Sequence, residues 1–133
     1  MNYLFEELLI FIDFIKIIFT TNADKLDNVL GKALYSASGL GQNKRIKKLI
    51  QKGVNINFEI DSTTTKTVLG VAVCSNRLKT VQLLLMYLPD TSIIENPYLD
   101  YRVTDMAVGH SWIVGKSDDM IELLLKNGAI VSP

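Results

Sequence analysis

Apolar residues dominate the first twenty positions. From Tyr3 to Phe19 the chain is apolar except at Glu6, Glu7, Asp13 and Lys16. On a helix, at about 100° per residue, Asn2, Glu6, Asp13, Lys16 and Thr20 fall on one narrow stripe. Leu4, Phe5, Leu8, Phe11, Ile12, Ile15, Ile18 and Phe19 cover most of the rest, and Glu7 and Leu9 break this division. Such a helix calls for burial over more than half of its circumference. Three placements meet that need: a core or capping helix, a helix–helix contact between copies, or a membrane surface. The stripe is mostly acidic, whereas helices that lie on membranes usually carry a basic polar face. A secretory signal is not expected, because Glu6 and Glu7 stand where Lys or Arg belongs and no small-residue cleavage site follows. Four charges also interrupt the run of about 20 apolar residues that a membrane span requires.

After a turn at Thr20 to Asp24, with Asn22 or Asp24 as cap, a second helical period begins. It runs through Leu26, Val29, Leu30, Ala33, Leu34 and Ala37, and Gly39 and Gly41 break it. A short helix from Lys44 to Gln51 places Ile46, Leu49 and Ile50 on one side and stops at Lys52-Gly53. Asn55 to Lys66 is polar and threonine-rich, which suits an extended connector. The pattern then restarts. Thr67 caps a helix bearing Leu69, Ala72 and Val73, and Ser75-Asn76 marks a turn. Leu78 to Tyr87 carries Val81, Leu84 and Leu85, and Pro89 forbids continuation. A connector with Asn96-Pro97 leads to a third round. Met106 and Gly109 lie on its first helix, Gly115 to Ser117 near its turn, and Ile121, Leu124 and Leu125 on its second helix before Asn127-Gly128.

These rounds repeat. Leu34 aligns with Leu69 and Met106, Ala37 with Ala72 and Gly109, and Leu49-Ile50 with Leu84-Leu85 and Leu124-Leu125. The spacing is a little above the ~33 residues of an ankyrin repeat. The residues resemble that family, which reads roughly T-P-L-H-x-A-A, then a buried V-x-x-L-L, then x-G-A-D-V-N. Thr67 to Val73 matches the first part. The endings KLIQKGVNIN, from Lys48 to Asn57, and ELLLKNGAIV, from Glu122 to Val131, match the last. The resemblance covers about residues 30 to 133. The Pro and His of T-P-L-H are missing throughout, Leu88-Pro89 replaces a terminal Gly, and Ser111 to Ser117 adds residues to the third repeat. The expectation is one all-α domain, an ankyrin-like solenoid of about three helix-pair repeats with an N-terminal capping helix. Residues 1–24 form the apolar helix and turn, and 25–66, 67–102 and 103–133 form the repeats. Small residues on the inner helices let pairs stack closely, so Leu49, Ile50, Leu69, Ala72, Leu84 and Leu85 are expected to be buried. The last helix has no following unit to cover its far side.

Charge and chemistry narrow the function. Lys+Arg and Asp+Glu both number 14, so the basic excess that phosphate binding demands is missing and no nucleic-acid partner is expected. Cys74 and His110 are the only Cys and His, too few for a zinc or iron–sulfur site. No phosphate-binding loop motif occurs, and Gly39-Leu40-Gly41 sits in a turn with no preceding strand. Ser36, Ser38, Ser111 and His110 lack an acid and an oxyanion loop, so no catalytic site is expected. The expected protein is neither an enzyme nor a metal or cofactor binder. Lys44, Arg45, Lys47, Lys48 and Lys52 form a basic cluster, read as the solvated face of an outer helix or as a dock for an acidic partner or a phosphate-bearing surface.

The resemblance implies protein binding. Ankyrin proteins usually grip partners with connector tips and concave inner helices. Carried over by position, that surface comprises Thr63, Thr64, Lys66, Cys74, Ser75, Asp100, Tyr101, Val103, Ser111 and Trp112. Trp112 is the single tryptophan; it either plugs the irregular insertion or serves as a recognition hot spot. The bias towards Ile, Lys and Asn resembles stand-alone ankyrin proteins of viruses and intracellular bacteria that act on host proteins. That implies a cytoplasmic setting, in the producing cell or a host. The alternative is a self-associating structural protein or a fragment of a larger array, paired through its N-terminal or C-terminal helix.

Overall fold

The computed structural model describes residues 2–61, 65–87, 89 and 118–128. Six helices occur there: α1 (Asn2–Phe19), α2 (Ala23–Leu40), α3 (Asn43–Gln51), α4 (Val68–Cys74), α5 (Leu78–Leu85) and α6 (Asp118–Lys126). The described part is all-helical, as the periodicity predicts. An isolated antiparallel bridge, Glu59 to Thr67, closes the connector between α3 and α4. The third inner helix, expected around Met106 and Gly109, lies outside the described residues, as do His110 and the Ser111 to Ser117 insertion.

Local chemistry sets the helix ends. The Asn22 side chain accepts from the backbone N–H groups of Asp24 and Lys25 at 2.9 and 3.2 Å, so it caps α2. The helix runs on through Gly39 and ends at Gly41, whose φ of 71° is a left-handed conformation natural to glycine. Thr67 caps α4 by accepting from Gly70 N–H at 2.8 Å.

Two turns are built alike. Gln42 N–H bonds to Ala37 C=O, and Arg77 N–H bonds to Ala72 C=O, at the interval separating Leu34 from Leu69. Ile46 to Gln42 recurs as Val81 to Arg77, and Lys52 to Leu49 recurs as Tyr87 to Leu84. Asn76 takes Gly41's place with φ 55°; Asn tolerates this region better than most residues. The pair Gly53 and Gly128, with φ of 88° and 89°, ends α3 and α6 in the same way.

The core follows from this arrangement. α2 packs against α3 and α4, α4 against α5, and α5 against α6. Leu30, Leu34, Ile46, Leu49, Leu69, Ala72, Val81, Leu84, Leu85, Met120 and Leu124 are buried together. Ile50 corrects the expected list. It packs against the core but is only partly buried. The connector is less polar in effect than its sequence suggests. Phe58 packs on the core, its ring so close to Gly31 that an added Cβ would lie 2.1 Å from it. On α6, Met120 and Leu124 are buried, Ile121 and Leu123 partly so, and Leu125 is 46% exposed.

α1 departs most from expectation. It contacts α2 and α3, the position of a cap on the first helix pair. The acids of its polar stripe, Glu6 and Asp13, however, face inward, while Lys16 stays exposed. Asp13 is buried, and Arg45 of α3 grips it with two bonds, Nε to Oδ2 at 2.6 Å and Nη2 to Oδ1 at 3.0 Å. Burial over more than half of the helix, expected from its composition, does not occur. An acid on the stripe has an arginine to meet on α3, and that pairing turns the apolar arc outward.

Candidate interaction surfaces

The expected partner-binding residues fall into two groups. Thr63, Thr64, Asp100, Tyr101, Val103, Ser111 and Trp112 lie outside the described residues. Lys66, Cys74 and Ser75 lie within them. Cys74 ends α4 and Ser75 caps it, and both are exposed beside the Asn76 turn. Lys66 is half-buried at the other end of α4, where its backbone C=O accepts from Ile60 N–H at 2.9 Å. The seven residues of α4 span about 10 Å at 1.5 Å each. Cys74 and Ser75 are therefore neighbours, and Lys66 stands apart from them. The connector near Lys66 is fixed to α2: the Tyr35 hydroxyl donates to Thr65 C=O at 3.0 Å and lies 2.6 Å from the Thr65 hydroxyl. The Asn76 turn is fixed to the first pair by Arg77 Nε, which donates to Gly39 C=O at 3.2 Å.

The basic cluster also needs correction. Arg45 is not on a solvated face; it is 5% exposed, because Asp13 and the Gln42 side chain, whose Oε1 accepts from Nη1 at 3.0 Å, hold it against α1. Lys44 pairs with Glu7. The Glu6 carboxylate accepts from Arg45 N–H at 3.3 Å, in the first turn of α3, where Gln42 makes no side-chain cap bond. An anion there also meets the favourable end of the helix dipole. Lys47, Lys48 and Lys52 stay exposed. The α1 acids are thus committed to α3.

A second surface emerges that sequence reasoning placed on the inside. Leu4, Phe5, Leu8, Phe11, Phe14, Ile15, Ile18 and Phe19 on α1 are exposed, from 37% at Ile15 to 76% at Phe19. They occupy about half of the helix circumference. Beneath one edge runs a groove of about 450 Å³ between α1 and α3, lined by Ile10, Phe11, Phe14, Ile17, Lys48 and Lys52 among others. Single exposed apolar side chains are ordinary, but monomeric proteins rarely expose a contiguous patch of this size. The amphipathic stripe was visible in the sequence. Its direction depends on Arg45, on another helix.

Among the described residues, no helix is long and apolar enough to cross a membrane, and no cluster of three or more His, Cys, Asp or Glu residues could hold a metal ion. No protein-family model matches the chain, and no curated protein matches it significantly.

Proposed function

We propose that the chain is a protein-binding module with an ankyrin-like stack of helix pairs, rather than an enzyme. The partner docks across the connector tips and the inner helices α2 and α4, with Lys66, Cys74 and Ser75 in the contact. The observation that carries this reading is the repetition of the same cap hydrogen bonds at Gly41-Gln42 and at Asn76-Arg77. Equivalent positions in stacked repeats line up into one extended surface. The protein acts in the cytoplasm, of the producing cell or of a host.

The lone, exposed Cys74 supplies the test. The chain carrying a photoreactive maleimide on Cys74 is irradiated in lysate, beside a Cys74→Ser, Gln82→Cys chain labelled on the exposed face of α5. The reading expects a discrete partner crosslinked from position 74 and not from position 82. Equal capture from both, or capture from position 82 alone, counts against it.

A further inference from the structure

We infer that the outward face of α1 is a dimer interface, occupied by α1 of a second copy running antiparallel. The inference goes beyond partner binding by the inner helices and rests on α1 and its surroundings.

The first ground is symmetry. The exposed apolar positions of the face are 4, 5, 8, 11, 14, 15, 18 and 19, with Ile12 half-buried at its border. Six of these, 4, 5, 8, 15, 18 and 19, pair off from either end about the midpoint between Phe11 and Ile12, and Phe11 lies beside that midpoint. A two-fold interface needs such self-complementarity, because the same patch serves both subunits. With the copies antiparallel, the Leu4-Phe5 end of one meets the Ile18-Phe19 end of the other. Leu8 meets Ile15 nearer the centre, and apolar side chains face apolar side chains along the whole helix. Leu4, Leu8, Phe11, Ile15 and Ile18 also follow the alternating four-and-three spacing with which paired helices interlock.

The second ground is area. With about 200 Å² for a full large side chain, the exposed fractions of the eight outward residues leave on the order of 900 Å² open to solvent. A standard stable interface takes roughly 800 Å² from each partner. The third ground is the arrangement of charge. The one charged residue inside the arc, Glu7, is paired with Lys44. Lys16 borders the face on one side, and Lys48 and Lys52 line the groove on the other. An apolar centre with a charged, solvated rim is the anatomy of a protein interface, and homodimer interfaces are the more apolar kind. The Asp13–Arg45 pair holds α1 in this orientation, so the face is presented ready-formed.

The test uses the full chain. Light scattering over a concentration series is expected to give twice the chain mass of 14.9 kDa. Leu8→Glu with Ile15→Glu, both on the exposed arc, should give a monomer with unchanged helix content. Direction is read by disulfide trapping in a Cys74→Ser background. Phe11→Cys, near the two-fold axis, should crosslink to its own copy, and Phe19→Cys should not. Trapping does not depend on the double-glutamate variant folding. A wild-type monomer at hundreds of micromolar overturns the inference. So does a dimer that survives both glutamates, or trapping at Phe19→Cys rather than Phe11→Cys. A monomer that co-sediments with vesicles of 70% phosphatidylcholine and 30% phosphatidylserine, and is released by salt, would assign the face to a lipid surface and overturn it equally.

Discussion

Arg45 shows how one side chain decides what a helix presents. Its guanidinium is satisfied by Asp13 and Gln42, and its backbone N–H by Glu6. Charges this well buried are tolerated only when paired. Gly31 plays a comparable part through size, because the Phe58 ring occupies the space of a side chain. Gly31→Ala is expected to lower stability by about 1–3 kcal/mol, the range for overpacking a filled site. Phe58→Leu should relieve part of that loss, and denaturant unfolding of the single and double variants measures it. Leu84, fully buried, gives the opposite case: Leu84→Ala should cost about 2–5 kcal/mol through the cavity it leaves. A loss under half a kilocalorie in the same assay would mean that α5 is packed by other residues.

The elements that could be read from sequence are those whose determinants are local. Asn22, Gly41, Thr67 and Gly53 sit within a few residues of the backbone groups they satisfy, so the ends of α2, α3 and α4 were legible to within a residue or two. Leu49, Leu69, Ala72, Leu84 and Leu85 were legible as core because helical period and repeat agree. The facing of α1 was not. Periodicity finds two faces on a helix, and a mean preference assigns the apolar one to the core. The reversal comes from Arg45, 32 residues from Asp13 in sequence, which no window along the chain connects. The candidate site was legible only in part, as Cys74 and Ser75 come together while Lys66 stands at the far end of α4. Deleting residues 2–19 should therefore destabilise the first helix pair through its polar contacts. Arg45 loses Asp13, the first turn of α3 loses Glu6, and Ile17 leaves the core edge. The truncated chain should melt lower and over a wider range than the parent. Equal melting curves would show that α1 contributes nothing to the cap.

For the whole molecule, two properties follow from one arrangement. The helix pairs bury a continuous core from Leu30 to Leu124, and the polar docking of α1 leaves an apolar surface on the outside. The inner-helix surface proposed for a partner lies on α2 and α4, whereas the proposed dimer face lies on α1. The two proposed uses therefore do not compete for one surface. The proposed self-association depends on which way α1 faces. A double-mutant cycle between Asp13 and Arg45 tests this most directly, with Asp13→Ala, Arg45→Ala and the double variant unfolded in denaturant beside the parent. Either single substitution should cost about 3–5 kcal/mol, because the remaining charge is left buried without its partner. The double substitution should cost less than the two singles added, with a coupling of at least about 1 kcal/mol. Additive effects, with no coupling, would mean that Asp13 and Arg45 do not meet, and that α1 turns its apolar face towards the core.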